Sequence, residues 1–210
     1  MTQLIEGYTI GADNQKECKG NDWDAQTFFI SNMTRNQDYT ITQVKIKCYR
    51  EGNPPMPITA SIRETNWTVD RSGNPVGSDI STGTFGDKLT SNINGEWITI
   101  DMTPCTLKAG TLYALVVRIT GGDASNNIQW KVDVSLPTYQ GGRNAFSADA
   151  GATWGNTISW DCLFEVYGIP KILKGTIGTA AISKEYPVTE GLVARTTKQT
   201  NPPNLEEEPW

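Results

Sequence analysis

The sequence predicts an all-β protein that folds as a two-sheet antiparallel sandwich. Across residues 25–168, apolar and polar residues alternate in short segments, and turns rich in Gly, Pro and Asn separate these segments. About nine such segments recur at intervals of roughly 8 to 20 residues. No stretch of this region has the spacing of an amphipathic helix. This pattern is typical of a β-sandwich, and a jelly roll is the topology that we expect.

The individual strands follow from the same alternation. In residues 40–50, Ile41, Val44 and Ile46 supply inward-facing side chains. Residues 112–119 are almost continuously apolar, which predicts a central strand covered on both faces. Residues 159–167 form the last expected strand, before Gly168. The remaining predicted strands are residues 25–30, 58–63, 80–85, 96–102, 128–134 and 142–147.

The sequence divides into three parts. Residues 1–24 are polar and irregular, so we expect a lead-in segment. Residues 25–168 form the sandwich, and residues 169–210 form an extended C-terminal arm. Apolar residues recur in the arm without a period that would bury them locally, which favours docking on another subunit over a solvated, disordered end. The residues expected to anchor the arm are Ile172, Ile177, Ile182, Val188, Leu192 and Trp210.

Charge and composition argue against several classes of function. The chain has 18 basic and 23 acidic residues, a net charge of −5 and no run of Lys or Arg. We therefore expect no nucleic-acid partner. Histidine is absent, which removes the usual general base, the common nucleophile pairs and the commonest zinc ligand. We predict no enzyme and no cofactor.

A glycosidase is the enzyme class that this composition excludes least, because it needs only two carboxylates. Asp161 and Glu165 are the only carboxylates close together on a predicted strand. Four residues apart on a strand, they would lie roughly 13 Å from each other, which is too far for a retaining pair. Solvated or edge-facing charge is the better interpretation of both.

The first residues, Met1 to Glu6, lack the basic and apolar regions of a signal peptide, and no apolar run reaches transmembrane length. We therefore expect synthesis in a cytoplasm and no membrane partner. Cys48 and Cys162 lie on the apolar phase of strands, which predicts buried, reduced thiols. Cys18 lies in a polar segment and is expected to be the most reactive cysteine.

One local motif is sharply defined. Residues 147–154 read Ser-Ala-Asp-Ala-Gly-Ala-Thr-Trp and fit the pattern S-x-D-x-G-x-T-W of the Asp box. Ser147 and Asp149 would bond backbone donors in a hairpin turn, Gly151 would adopt a positive φ, and Trp154 would pack beneath the turn. The motif predicts local structure and says little about activity.

Aromatic residues offer a second interpretation of the late segments. Trp130, Tyr139 and Trp154 could stack on the apolar faces of sugar rings, beside polar groups that bind hydroxyls. They could equally be core or turn anchors, as most aromatics in sandwiches are. Asp22, Asp24 and Asp123 could supply oxygen ligands to calcium, but the sequence has no EF-hand spacing, and we predict no metal site.

Several segments together have a recognisable pattern. They resemble a jelly-roll module, similar to carbohydrate-binding modules, that recurs in virion proteins of tailed phages and other prokaryotic viruses. The resemblance covers residues 23–168, and departs from the usual pattern at Cys48 and Cys162, where a larger hydrophobe is more typical. The segments that carry it are residues 44–54, 114–118, 127–130, 136–142 and 161–168.

The resemblance implies a non-enzymatic virion subunit, such as a capsid decoration, head-fibre, collar or tail component. Its partners would be other virion proteins and copies of itself. It would be made in the host cytoplasm and reside in the virion. The alternative is a glycan-binding adhesin that contacts a host-surface glycan. A free lectin does not need a long arm, so the arm favours the virion subunit.

Overall fold

The computed structural model describes residues 2–31, 37–67, 73–86 and 89–171. All regular structure in these ranges is β, which confirms the predicted fold class. The anchor residues expected in the C-terminal arm, from Ile172 to Trp210, lie outside the described residues. The strands are β1 Gln3–Tyr8, β2 Asn14–Cys18, β3 Trp23–Ile30, β4 Tyr39–Glu51, β5 Ile58–Thr65, β6 Pro75–Phe85, β7 Glu96–Leu107, β8 Thr111–Ile119, β9 Asn127–Asp133, β10 Asn144–Ser147, β11 Gly155–Thr157, β12 Asp161–Cys162 and β13 Phe164–Pro170.

Two antiparallel sheets pack face to face. In the first sheet, strand β4 is central. It pairs with β7 on one side, and on its other side it pairs first with β13 and then with β9. Strand β1 pairs with β13, while β2 and β12 both pair with β9. The second sheet has the order β11-β10-β3-β8-β5-β6. The chain crosses between the sheets at most connections, as expected for a jelly roll.

The main core lies between the sheets and is made by alternate residues of each strand. Strand β8 contributes Leu115 and Val117 to this layer, and both are fully buried. The intervening residues Ala114 and Val116 are buried on the opposite face, beneath Trp23 and Trp154. The predicted central strand is therefore covered on both faces, which explains its continuous apolar sequence.

The N-terminal segment differs from the expected lead-in, because residues 3–8 and 14–18 form two strands of the first sheet. Tyr8 is 7% exposed and Cys18 is fully buried, so both belong to the core. Apolar residues alternate only weakly in these two edge strands. Backbone pairing with β13 and β9 holds the strands in place instead. The sequence pattern therefore missed them.

The last predicted strand is divided at Leu163. Cys162 pairs with Val132 of β9, whereas Phe164 pairs with Ile46 of β4. The backbone N–H of Leu163 donates to the carbonyl of Lys131 at 2.9 Å. Its carbonyl accepts the indole N–H of Trp130, also at 2.9 Å. This strand thus shifts from one partner to another within the sheet.

Across the described ranges, no helix is long and apolar enough to span a membrane.

A candidate ligand-binding cleft

The layer between the sheets becomes polar at one end of β3. Phe28 and Ile30 point into the apolar core, and the alternation of the strand places Gln26 and Asp24 on the same face. Gln26 accepts the backbone N–H of Cys162 at 2.7 Å. Asp24 is 3% exposed. A carboxyl group is therefore held between the sheets, close to their edge.

A cleft of about 290 Å³ opens at this edge, near the lower limit for small-molecule sites. Strand β2 of the first sheet forms one wall, and strands β3 and β10 of the second sheet form the other. The lining combines aromatic faces with carboxylates, an amide and an ammonium group. The lining residues are Gln15, Lys16, Glu17, Asp22, Trp23, Asp24, Phe146, Ser147, Ala148 and Trp160.

Lys16 occupies the centre of this arrangement. Its ammonium nitrogen lies 4.5 Å from the centroid of the Trp160 ring and 4.9 Å from that of Phe146. It also lies 3.6 Å from Oδ1 of Asp24. Cation–π attraction and the ion pair hold the ammonium in one position. Phe146 remains 42% exposed, so part of this aromatic surface is open to solvent.

Asp24 is electrostatically unusual. Burial raises the pKa of its carboxyl to about 6, although the Lys16 ammonium opposes this change. The Cys18 thiol lies 3.7 Å from Oδ2 as a weak donor. Oδ1 is buried and has no hydrogen-bond partner among the described residues. Oδ1 therefore interacts with the Lys16 ammonium by charge attraction rather than by a hydrogen bond.

Local structure keeps the cleft walls in place. Strands β2 and β3 are joined by a tight turn in which Lys19 and Asp22 exchange backbone hydrogen bonds of 3.1 and 2.7 Å. Lys19 also forms a 2.7 Å ion pair with Glu17. The Trp23 indole N–H donates to the carbonyl of Gly20 at 3.3 Å. These contacts limit how far either wall can move.

On the outer face of the second sheet, Trp23 packs against two cations. The guanidinium groups of Arg63 and Arg118 lie 5.4 and 5.0 Å from its ring centroid. Both arginines bond Asp79, at 2.7 and 2.5 Å. The ring is thus fixed from the side that faces away from the core.

The Asp-box motif forms the predicted turn. Ser147 donates to Asp149 at 2.8 Å and accepts the backbone N–H of Gly151 at 2.8 Å. Asp149 accepts the backbone N–H and the hydroxyl of Thr153 at 2.8 and 2.6 Å. These bonds lower the pKa of Asp149 to about 2. Gly151 has a φ of 84°, and the Trp154 indole N–H donates to its carbonyl at 3.1 Å.

The three aromatics expected as a sugar platform do not share one surface. Trp130 is fully buried between the sheets, so it cannot stack on a ligand, and that expectation is wrong. Tyr139 is half-buried against Tyr8 and Phe164. Trp154 packs on the outer face of the second sheet. The aromatic surface beside polar groups is instead formed by Phe146 and Trp160, with Trp23 nearby.

The predicted carboxylate pair is also rearranged. Asp161 is 4% exposed rather than solvated, and its Oδ2 accepts the backbone N–H of Tyr139 at 2.9 Å. Glu165 lies on β13 and forms an ion pair with Lys45 at 3.4 Å. The register of the sheet places Asp161 opposite Asp133.

Asp133 and Asp161 form a buried acidic pair. Asp133 is 2% exposed and accepts the Tyr8 hydroxyl at 2.5 Å. Burial is the main cause that raises the pKa of Asp161 to about 6, and the nearby Asp133 adds to it. Burial and the bond to Asp133 also raise the pKa of Tyr8. The contact ties β1 to the end of β9.

All four cysteines are free thiols. The predicted burial of Cys48 and Cys162 is confirmed, since both are fully buried. Cys18 is also fully buried, so the expectation that it is the most reactive is wrong. Burial raises the pKa of Cys18 well above its ordinary value, while Cys105 is only half-buried.

Among the described residues, no group of three or more His, Cys, Asp or Glu side chains is placed to hold a metal ion. Asp123, one of the calcium candidates, accepts the backbone N–H of Ser125 at 2.7 Å in a turn. No protein-family model, curated protein or solved structure matches this chain.

Sequence reasoning missed the cleft because its parts are far apart in the chain. Lys16 lies in the segment that was expected to be irregular, and Trp160 lies in the last expected strand. Phe146 follows the alternation of β10, but only the pairing of β10 with β3 places it beside Asp24. No local pattern indicates that these side chains meet.

Proposed function

We propose that this chain is a non-enzymatic structural subunit of a virus particle, which displays the β-sandwich and is fastened by its C-terminal arm. Its partners are other capsid or tail proteins and copies of itself. It is made in the host cytoplasm and resides in the virion. The resemblance to jelly-roll modules of virion proteins is the basis of this proposal.

The observation that carries the proposal is the position of the resembling segments in the fold. Residues 44–54 include much of β4, and residues 161–168 include β12 and most of β13, which pairs with β4. Residues 114–118 and 127–130 lie in the buried strands β8 and β9. Four of the five resembling segments therefore lie mainly in paired strands of the sandwich, and the fifth, residues 136–142, lies in the connection between β9 and β10.

Mass spectrometry of purified particles tests this proposal. The chain should be present at a fixed copy number, and a chain ending at Lys171 should fold but fail to enter particles. The folding of the shortened chain, checked by circular dichroism, is the control for loss of structure. Absence of the full chain from particles contradicts the proposal, and normal incorporation of the shortened chain contradicts the role of the arm.

A glycan-binding adhesin module is the second candidate. The cleft favours it, because partly exposed aromatic rings lie beside hydrogen-bonding groups, which is the composition of a saccharide site. The two functions are compatible, since a displayed virion subunit can also bind a host-surface glycan. Screening the full chain on a glycan array tests this candidate, and a screen without binding contradicts it.

A further inference from the structure

The residues that line the cleft indicate which kind of ligand it accepts, in addition to where a ligand would bind. Which saccharides the cleft accepts is a question that rests on the second candidate function, glycan binding. Three features of the lining bear on this question: its aromatic rings, its fixed ammonium group and its excess of carboxylates.

The aromatic rings define the shape of the ligand. Phe146 is 42% exposed and Trp160 is half-buried. The Lys16 ammonium lies over part of both rings, so a ligand contacts the part that remains exposed beside it. A flat ring with C–H groups on one face packs on such a surface, whereas a flexible polar chain gains little from it. At about 290 Å³ the cleft is near the lower limit for small-molecule sites, which favours a small ring.

The ammonium of Lys16 defines the position of an acceptor. It is 3.6 Å from Asp24 Oδ1, which is longer than a hydrogen bond, so the ion pair does not use its N–H donors in that direction. The lysine side chain is 18% exposed, so part of it remains open to a ligand oxygen. Asp24 acts as a positioning residue, because its buried charge holds the ammonium beside the rings.

The carboxylates define the charge of the ligand. Among the described lining residues, Glu17, Asp22 and Asp24 are acidic and Lys16 is the one cation, while Lys19 pairs with Glu17 from outside the lining. A carboxylated or sulfated sugar would bring a further negative charge into this group. A hydroxyl, in contrast, can donate to a carboxylate and accept from Lys16.

We propose that the cleft binds a single uncharged pyranose unit, which stacks on Phe146 and Trp160 and accepts a hydrogen bond from Lys16. Hydroxyls on the same sugar donate to the carboxylates of the lining. Anionic saccharides are rejected by the same carboxylates.

A glycan array with neutral, sialylated, uronic and sulfated glycans is the first step of the test. Titration calorimetry of the full chain then measures the affinity for the best neutral glycan. Trp160→Ala should weaken binding about tenfold or more, and Lys16→Met should have a similar effect while keeping the apolar stem. Trp160→Phe keeps a smaller ring and should retain part of the affinity.

Trp97→Ala is the matched control. Trp97 is 37% exposed on β7, outside the cleft lining, so its replacement should change the affinity less than twofold. Thermal melts of each variant show whether the fold is kept, and Trp160→Phe replaces Trp160→Ala if the latter does not fold.

Three outcomes overturn the proposal. Array binding confined to anionic glycans contradicts the predicted charge selection. Affinity for a neutral glycan that is unchanged in the folded Trp160→Ala variant, or unchanged in Lys16→Met, places the site elsewhere, while the glycan-binding function itself stands. A screen without binding ends both the cleft proposal and the glycan-binding candidate, and leaves the virion role to the particle analysis.

Discussion

Replacing Asp24 with asparagine is the most direct test of the electrostatics beside the cleft. Burial raises the pKa of this carboxyl from its ordinary value of 3.8 to about 6. The folded protein therefore binds this proton more tightly than the unfolded chain does. The resulting stabilisation is fully present below the ordinary pKa and is lost as pH rises through about 6.

The size of the effect follows from the two pKa values. The difference between 3.8 and about 6, at about 1.36 kcal/mol per pH unit, corresponds to about 3 kcal/mol in the free energy of unfolding. Asparagine has a similar shape but does not ionise, so the Asp24→Asn variant does not lose this stability as pH rises. The free energy of unfolding of the variant minus that of the wild type should rise by about 3 kcal/mol between about pH 3.5 and about pH 8.

Urea unfolding at a series of pH values, followed by tryptophan fluorescence, measures this difference. Any pH-independent effect of replacing the carboxyl group with a carboxamide on the free energy of unfolding cancels when two pH values are compared. Asp149→Asn is a control with the opposite sign, because hydrogen bonds from Thr153 and Ser147 lower the pKa of Asp149. The stability that Asp149 contributes is present above its ordinary pKa and is lost as pH falls towards about 2.

A difference for Asp24→Asn that stays flat across the pH series would refute the reasoning. A difference that falls as pH rises would show that attraction to Lys16 outweighs burial.

Three further predictions concern the fold. Gly151→Ala should destabilise the protein by about 1–3 kcal/mol in urea unfolding, because φ is 84° and a Cβ would lie 2.7 Å from an indole carbon. Gly77→Ala has a φ of 68° and nothing within 4 Å, so an equal loss there would contradict a steric cause. Under native conditions a maleimide should label Cys105 first, and faster labelling of any other cysteine would contradict the burial pattern. Deleting residues 1–24 should cost about 3 kcal/mol or more in thermal or urea unfolding, because two core-contributing strands are lost, and an unchanged transition would show that they are dispensable.

The fold class could be predicted from the sequence because alternation and turn residues are local signals. Residues 40–50 read as a strand with inward Ile41 and Val44, and the structure has β4 at Tyr39–Glu51. The continuous apolar run of residues 112–119 correctly indicated a strand covered on both faces. The Asp box was equally local, since the side-chain bonds that close the turn join residues within 147–154.

Burial at the sheet edges could not be predicted in the same way. Strand β2 carries one apolar residue, Cys18, and is held by its backbone bonds to β9, a segment more than a hundred residues away in the chain. Asp161 looked like surface charge because its own neighbours in sequence do not reveal that β9 lies opposite. Long-range pairing, rather than residue type, decided both positions.

What the sequence determined by itself was therefore the two-sheet all-β architecture and the turn at residues 147–154, because short-range alternation and side-chain-to-backbone bonds produce them. The tertiary structure alone decided which polar groups are buried and which aromatic rings are exposed. Trp130 is enclosed because its side chain lies in the core between the two sheets, while Phe146 stays partly open because β10 lies near the sheet edge. The cleft exists because β2 pairs with β9 in the first sheet, β10 pairs with β3 in the second, and the two sheets pack face to face. Only this closure of the whole sandwich brings Lys16, Asp24 and Phe146 together.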